Sequence, residues 1–411
     1  MKKIFYATLL TAGIAATGLT GCSSKKLEAN KIPDAALGLS VRADGTLLLK
    51  GKPYRAVGVN YFNAFSRTLE PGAWNDTSYR KGFRYLKARS IPFVRFMCSG
   101  FWPVNFKLYQ NNKDQYFKNL DAFVKAAEEL EIGLIPSLFW NHSTIPDLLG
   151  EPVGQWGNKD SKTNAFMRQY VQEVVTRYKN SPAIWGWEFG NELNLVTDLP
   201  GDDANLPQIA VEVGTPPTRS KADKLSTQDL QVALTEFGKA VRLYDTNRII
   251  VSGNANPRPS AYHLHTVKNW DKDSQEQYAE MLAIQNPGPV NTISIHHYPD
   301  NALAYFADFP ASLKEIIRVT MEDAVKLKKP LFIGEFGAQE QILGTGVANK
   351  NYTELLDGIE TYKVPLAAMW VFDYPPHDAE NGINAGPDNG PREYMLQAIK
   401  ELNERTWQSN N

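Results

Sequence analysis

Eight short apolar runs, each followed by a segment with helical periodicity, constrain this 411-residue chain more than any other feature. The runs lie at 54–62, 91–99, 132–140, 184–192, 248–254, 292–298, 330–337 and 367–374. Several are apolar without alternation, the pattern of strands covered on both faces. Helical stretches fall at 79–89, 115–131, 161–179, 227–244, 273–285, 312–328, 353–362 and 391–405. Within them Phe117, Leu120, Phe123, Val124, Ala127 and Leu130 share one face. Asp114, Ser161, Ser226 and Ser312 stand where N-caps belong. This alternation predicts an α/β fold, a (β/α)8 TIM barrel in one domain. A doubly wound sheet is the alternative, but no Gly-rich phosphate loop opens a helix here. Residues 39–53, with Asp44-Gly45 between apolar runs, predict a hairpin under the barrel floor. The connections that follow strands are long, at 141–160, 193–225, 255–272 and 375–390, which predicts chemistry on the C-terminal face. The polar, proline-containing 193–225 would also suit an insertion without fixed structure.

The N-terminus reads differently. Lys2 and Lys3 precede a small-residue apolar run from Ile4 to Leu19, too short for a comfortable membrane span. Leu19-Thr20-Gly21-Cys22 closes it and resembles the lipobox of bacterial lipoproteins. The resemblance implies a signal peptide over 1–21, a lipidated Cys22, a tether over 22–31 and a catalytic domain over 32–411. Ser23 is similar to the residue found in lipoproteins sorted to an outer membrane. A plain secretory signal is the alternative. With Cys22 lipidated, Cys98 is the remaining thiol and reads as a small buried hydrophobe. The 44 basic and 45 acidic residues nearly cancel, so nothing points to nucleic acid, and the lipid is the expected route to a membrane.

Two of the eight runs end in a carboxylate. Trp185-Gly186-Trp187-Glu188-Phe189-Gly190-Asn191-Glu192 closes the fourth, and Pro330-Leu331-Phe332-Ile333-Gly334-Glu335 closes the seventh. A carboxylate at a buried strand end is costly unless it is paired or used. Two of them on separate strands are what a double-carboxylate hydrolase of glycosidic bonds requires. Glu188 reads instead as a buried barrel charge, and Trp185 and Trp187 as core or wall.

These motifs, with Val94-Arg95-Phe96 on the second strand, His296-His297-Tyr298 on the sixth and Met369-Trp370 on the eighth, resemble the retaining β-glycosidases on (β/α)8 barrels. Within that clan the chain is most similar to glycoside hydrolase family 5, which holds many cellulases and β-mannanases. The resemblance implies that Glu192 is the acid/base and Glu335 the nucleophile. It implies Arg95 and Tyr298 as partners of Glu335, Asn191 on the sugar 2-hydroxyl, and Trp370 as aromatic platform. His296 is expected to contact Glu192 or substrate. Arg95 is expected to lower the Glu335 pKa and Glu335 to raise that of Glu192. Adjacent Asn191 and Glu192 can both serve the site only if the strand ends or bulges, with Gly190 as the permissive residue. Leu193 stands where many members have proline. Where many cellulases carry Asp-x-His, this chain has Leu138-Phe139-Trp140-Asn141-His142, which makes Trp140 a cleft residue and His142 a shifted substitute.

The implied function is a retaining β-glycoside hydrolase, endo-acting on a β-1,4-glycan, with mannan ahead of cellulose-type glucan. An exo-acting β-glycosidase and a catalytically silent glycan-binding barrel are the alternatives. The expected partner is a β-linked oligo- or polysaccharide. No cofactor and no catalytic metal are expected, since His263 and His265 have no third ligand at a helical spacing. A structural calcium among Asp373 and Asp378 stays open.

Overall fold

The computed structural model describes residues 37–70, 72–201, 203–299, 305–387 and 392–408. Cys22, the expected signal segment 1–21 and the expected tether 22–31 lie outside these residues. Eight parallel strands form one sheet: β1 Ala56–Asn60, β2 Phe93–Met97, β3 Gly133–Phe139, β4 Gly186–Gly190, β5 Ile249–Val251, β6 Ile293–His297, β7 Leu331–Phe336 and β8 Leu366–Met369. Their order is β5-β4-β3-β2-β1-β8-β7-β6, and a parallel bridge from Val251 to Thr292 joins the two ends into a barrel. The expected (β/α)8 architecture is therefore the one found. Among the described residues, no helix is long and apolar enough to cross a membrane.

Alternation along each strand sorts side chains between two cores. Inward-facing Phe93, Ile135, Trp185, Phe332, Leu366 and Ala368 pack together and fill the lower barrel. Val94, Phe96, Trp187, Phe189 and Ile333 point outward into a larger core beneath the helices. Trp185 and Trp187 thus belong to core and wall, and Cys98 is buried with them. A small antiparallel sheet of Leu39–Val41, Leu47–Leu49 and Lys52–Pro53 closes the floor, with one strand more than the expected hairpin. Leu39 and Leu47 extend the lower core, and the Leu39 N–H donates to the Trp185 carbonyl at 2.8 Å.

Outer helices begin where the sequence signals them. Ser161, Ser226 and Ser312 cap helices Lys162–Tyr178, Thr227–Arg242 and Leu313–Lys326. In helix Lys113–Leu130 the cap is Asn112, whose side chain accepts from the Gln115 N–H; Asp114 lies within the first turn instead. The long helix after β7 runs Thr345–Thr361, starting eight residues before the expected 353, and its first turns bury only Ala348 and Tyr352, a sparse apolar face. The long 193–225 connection is held in place. Arg219 makes a bidentate pair with Asp147 at 2.6 and 2.8 Å, and three short 3-10 turns fold the segment onto the upper face.

Candidate active site

Strand β4 delivers its carboxylate through a break in its own geometry. Regular pairing stops at Gly190, and Glu192 takes left-handed backbone with φ 56° and ψ 27°. Its N–H donates to the Gly253 carbonyl at 2.8 Å, while the Asn191 N–H donates to the Trp140 carbonyl at 3.1 Å. This turn brings two consecutive residues to one side, which a regular strand forbids. A non-glycine residue held there costs about 1–3 kcal/mol, which the surrounding packing must over-determine. The left-handed position is Glu192 itself, not Gly190. Gly190 matters by size: a Cβ would sit 2.7 Å from Leu193 Cδ1 and 2.8 Å from the Phe139 carbonyl oxygen. Leu193 is buried beneath the turn and opens a 3-10 segment, Leu193–Val196.

Strand β7 uses a different device. Its register against β6 shifts between Ile333 and Glu335, with Ile333 opposite Ile295 and Glu335 opposite His296. The bulge re-aims Glu335 from the wall into the barrel mouth. Gly334 sits at the irregularity because a Cβ there would lie 2.8 Å from His296 Nε2.

The two irregularities converge. Single oxygens of Glu192 and Glu335, with one nitrogen of His296, all lie within 4.8 Å of one another. Among the described residues this is the one such trio compact enough to share an ion, and its atoms are already bonded to one another or to Arg95 and Tyr298. Arg95 Nη1 donates to Glu335 Oε1 at 2.9 Å and the Tyr298 hydroxyl to Oε2 at 2.7 Å. His296 Nδ1 lies 2.9 Å from Glu192 Oε1. Its neighbour His297 points outward and meets the Leu313 carbonyl, as alternation requires.

Arg95 is fully buried and divided among several acceptors. Its Nε donates to both oxygens of Glu188, at 2.8 and 3.0 Å, and its Nη2 to Asn191 Oδ1 at 2.9 Å. Glu188 is thus a buried barrel charge, but one that shares its guanidinium with Glu335. The expected lowering of the Glu335 pKa by Arg95 is corrected by burial, which outweighs it. Burial pushes the Glu335 carboxyl up and the charge of Glu192 adds to it, against the pull of Arg95 and the Tyr298 hydroxyl. Burial also raises Glu192, with Arg95 opposing. Glu335 holds two strong donors and Glu192 only the imidazole, an arrangement that favours ionisation of Glu335 over that of Glu192. Burial lowers His296 to about 3, which keeps its imidazole neutral.

An aromatic cavity of about 300 Å³ opens above the pair. Trp140 and Trp370 stack at 6.1 Å and 28°, with Phe62 and Tyr374 against them, and Asn191 faces the same space. The Trp370 indole N–H donates to His377 Nδ1 at 3.0 Å. Trp140 lines this cavity, but His142 does not. Asn141 forms a tight turn, accepting from the Ser143 N–H, and the chain past it carries His142 away. Burial and Arg219 hold that imidazole down at about 4. Phe62, Gln339, Tyr374 and His377 were not foreseen. Phe62 and Tyr374 end the first and last apolar runs, which was the available signal.

The other candidate ligands are committed elsewhere. Asp373 accepts from Arg67 at 2.9 Å and from the Tyr61 hydroxyl at 2.6 Å, whereas Asp378 pairs with Arg392 and Asn384. The two aspartates therefore do not converge on one ion. His263 meets Asp273 at 2.7 Å and His265 meets Asp198 at 3.2 Å.

The sequence profile of the cellulase family, glycosyl hydrolase family 5, matches residues 50–374, which include every strand of the barrel. The chain belongs to glycosyl hydrolase family 5. As a member of family 5 it is a hydrolase of O-glycosyl bonds. It is 24% identical over 334 residues to mannan endo-1,4-beta-mannosidase 1 of Oryza sativa, covering 72% of this chain and 68% of that one. It is 24% identical over 267 residues to mannan endo-1,4-beta-mannosidase 4 of Solanum lycopersicum, where the match spans 60% of this chain and 59% of the relative. In fold it resembles the endo-1,4-beta-mannanase of Rhizomucor miehei, with a TM-score of 0.65 at 16% identity over 90% of this chain and 99% of that one. A family 5 mannosidase from the same organism gives 0.62 at 13% identity, covering 91% and 98%.

Proposed function

We infer that this family 5 chain is a retaining, endo-acting β-1,4-mannanase. The observation that carries the reading is the 4.8 Å within which the Glu192 and Glu335 oxygens lie. Retaining glycosidases hold their carboxyl groups about 5–5.5 Å apart, whereas inverting ones need about 6.5–9.5 Å to admit a water. Glu335, ionised and held by Arg95 and Tyr298, attacks the anomeric carbon. Glu192 protonates the leaving oxygen, and its proton affinity falls once the ester removes the neighbouring charge. It then takes a proton from water in the second step. Asn191 holds the 2-hydroxyl, and Trp370 supplies the platform beneath the sugar.

Internal cleavage is supported by cavities on both sides of the pair. The aromatic cavity shares Phe62 and Tyr374 with one neighbour and Glu192 and Tyr298 with another. A polymer can therefore continue past the cut in either direction. Mannan is favoured because the similar curated proteins are named for it. Manno- and cello-oligosaccharides, followed by product analysis and NMR of the first-formed anomer, test the reading. An α-anomer as first product, or release of single sugars from the chain end alone, overturns it.

The lipobox around Cys22 supports an exported, lipid-anchored enzyme on the outer membrane. Radiolabelled palmitate should enter the native protein and not Cys22→Ala; equal labelling overturns the anchor.

A further inference from the structure

The cavity on the far side of Glu192 has a character the family reading does not assign. It measures about 410 Å³ and meets the aromatic cavity at Glu192 and Tyr298. Trp370 lies on one side of the acid and this space on the other, so by the reading above it receives the sugar that leaves. Among the described residues two cations line it, Arg258 and Lys272, and one carboxylate, Glu192.

Among the described residues no carboxylate pairs with either cation. Arg258 is half-buried, which lowers its pKa; its Nη2 donates to the Leu195 carbonyl at 2.6 Å, and its guanidinium lies 5.9 Å from the Trp270 ring centre. No carboxylate meets it among the described residues. Lys272 is exposed on the same loop. That loop is built rather than loose: Asp273 accepts from the N–H groups of Tyr262 and His263, and Ser260 Oγ donates to the Trp270 carbonyl at 3.1 Å. The nearest groups that titrate are unable to balance the pair at neutral pH. Burial disfavours the charged form of Glu192, holds His296 neutral and raises the Tyr298 phenol. A cavity lined, among the described residues, by two cations against the single carboxyl of Glu192 attracts an oxyanion, and a guanidinium suits one bidentately.

We propose that Arg258 and Lys272 make the leaving-group side an anion-preferring subsite, which takes a sugar bearing a carboxylate or sulfate. The preferred substrate is then a heteroglycan with an acidic residue directly after the cut. This inference rests on Glu192 being the proton donor.

The test uses paired aryl β-mannosides whose leaving groups match in acidity, one aglycone carrying a carboxylate and the other its carboxamide; a sulfate-bearing third separates the two anion types. At low ionic strength the native protein should show kcat/KM about tenfold higher for the charged aglycone, a ratio that salt screens towards one. Arg258→Met and Lys272→Met should each lower the ratio. Because the ratio compares two substrates on one protein, partial loss of folded enzyme leaves it unchanged. A native ratio at or below one, or a ratio indifferent to both substitutions, overturns the proposal. Turnover of neither aglycone, or a catalytic acid other than Glu192, overturns the function first and this inference with it.

Discussion

Removal of one oxygen from Tyr298 isolates how the nucleophile is held ionised. Its hydroxyl donates to Glu335 Oε2 at 2.7 Å, and among the described residues no other donor serves that oxygen. Burial keeps the phenol protonated well beyond the working range, so it donates at every usable pH. A hydrogen bond to a charged group contributes about 1.5–3 kcal/mol. Tyr298→Phe withdraws that from the carboxylate and not from the acid, so the Glu335 pKa rises. At about 1.4 kcal/mol per unit the rise is about 1–2 units. The acid limb of kcat/KM reports ionisation of this group in free enzyme and should move to higher pH by the same amount. The assay is hydrolysis of an activated aryl β-mannoside at saturating and limiting substrate from acid to neutral pH, with thermal melts as control for folding. An acid limb that stays in place in a folded Tyr298→Phe protein refutes the reasoning, as does one displaced to lower pH.

Further substitutions probe the same cluster. Glu335→Ala should lose turnover by several orders of magnitude, while Glu192→Ala should retain most rate on good leaving groups and yield a β-glycosyl azide when azide is added, seen by mass spectrometry. Arg95→Met strands Glu188 in the core and should cost about 3–5 kcal/mol in denaturant unfolding, much of it recovered by adding Glu188→Met. Glu188 sits at about 7, above its ordinary 4.5, chiefly through burial. Its contribution to stability is present at acid pH and lost as pH rises through 7, so Glu188→Gln should flatten that part of the melting profile. Gly253→Ala should abolish activity or folding, because its Cβ would fall 1.9 Å from the Gly190 carbonyl oxygen that abuts the catalytic turn.

The sequence made the barrel legible because every strand is an apolar run and every helix repeats with its own period. Glu192 and Glu335 were legible for the same reason: a charge ending such a run stands out. What was hidden depends on backbone or on sharing. No pattern announces that Glu192 itself turns left-handed, since the turn is held by the Gly253 carbonyl, sixty-one residues away in the chain, and by Leu193 packed beneath it. The divided guanidinium of Arg95 was equally invisible, because it joins residues from three strands other than its own. His377 lies on a connection, where position depends on neighbours far away in the chain, and His142 failed for that reason too.

The spacing of the two glutamates is made by a turn in one strand and an extra residue in another, both locked into the barrel wall. It owes little to the loops that contact substrate. Those loops can therefore change length, sequence and charge under selection for a new glycan while the reacting distance stays fixed. A leucine after the acid/base, and two cations beyond it, are the kind of variation such a division of labour tolerates.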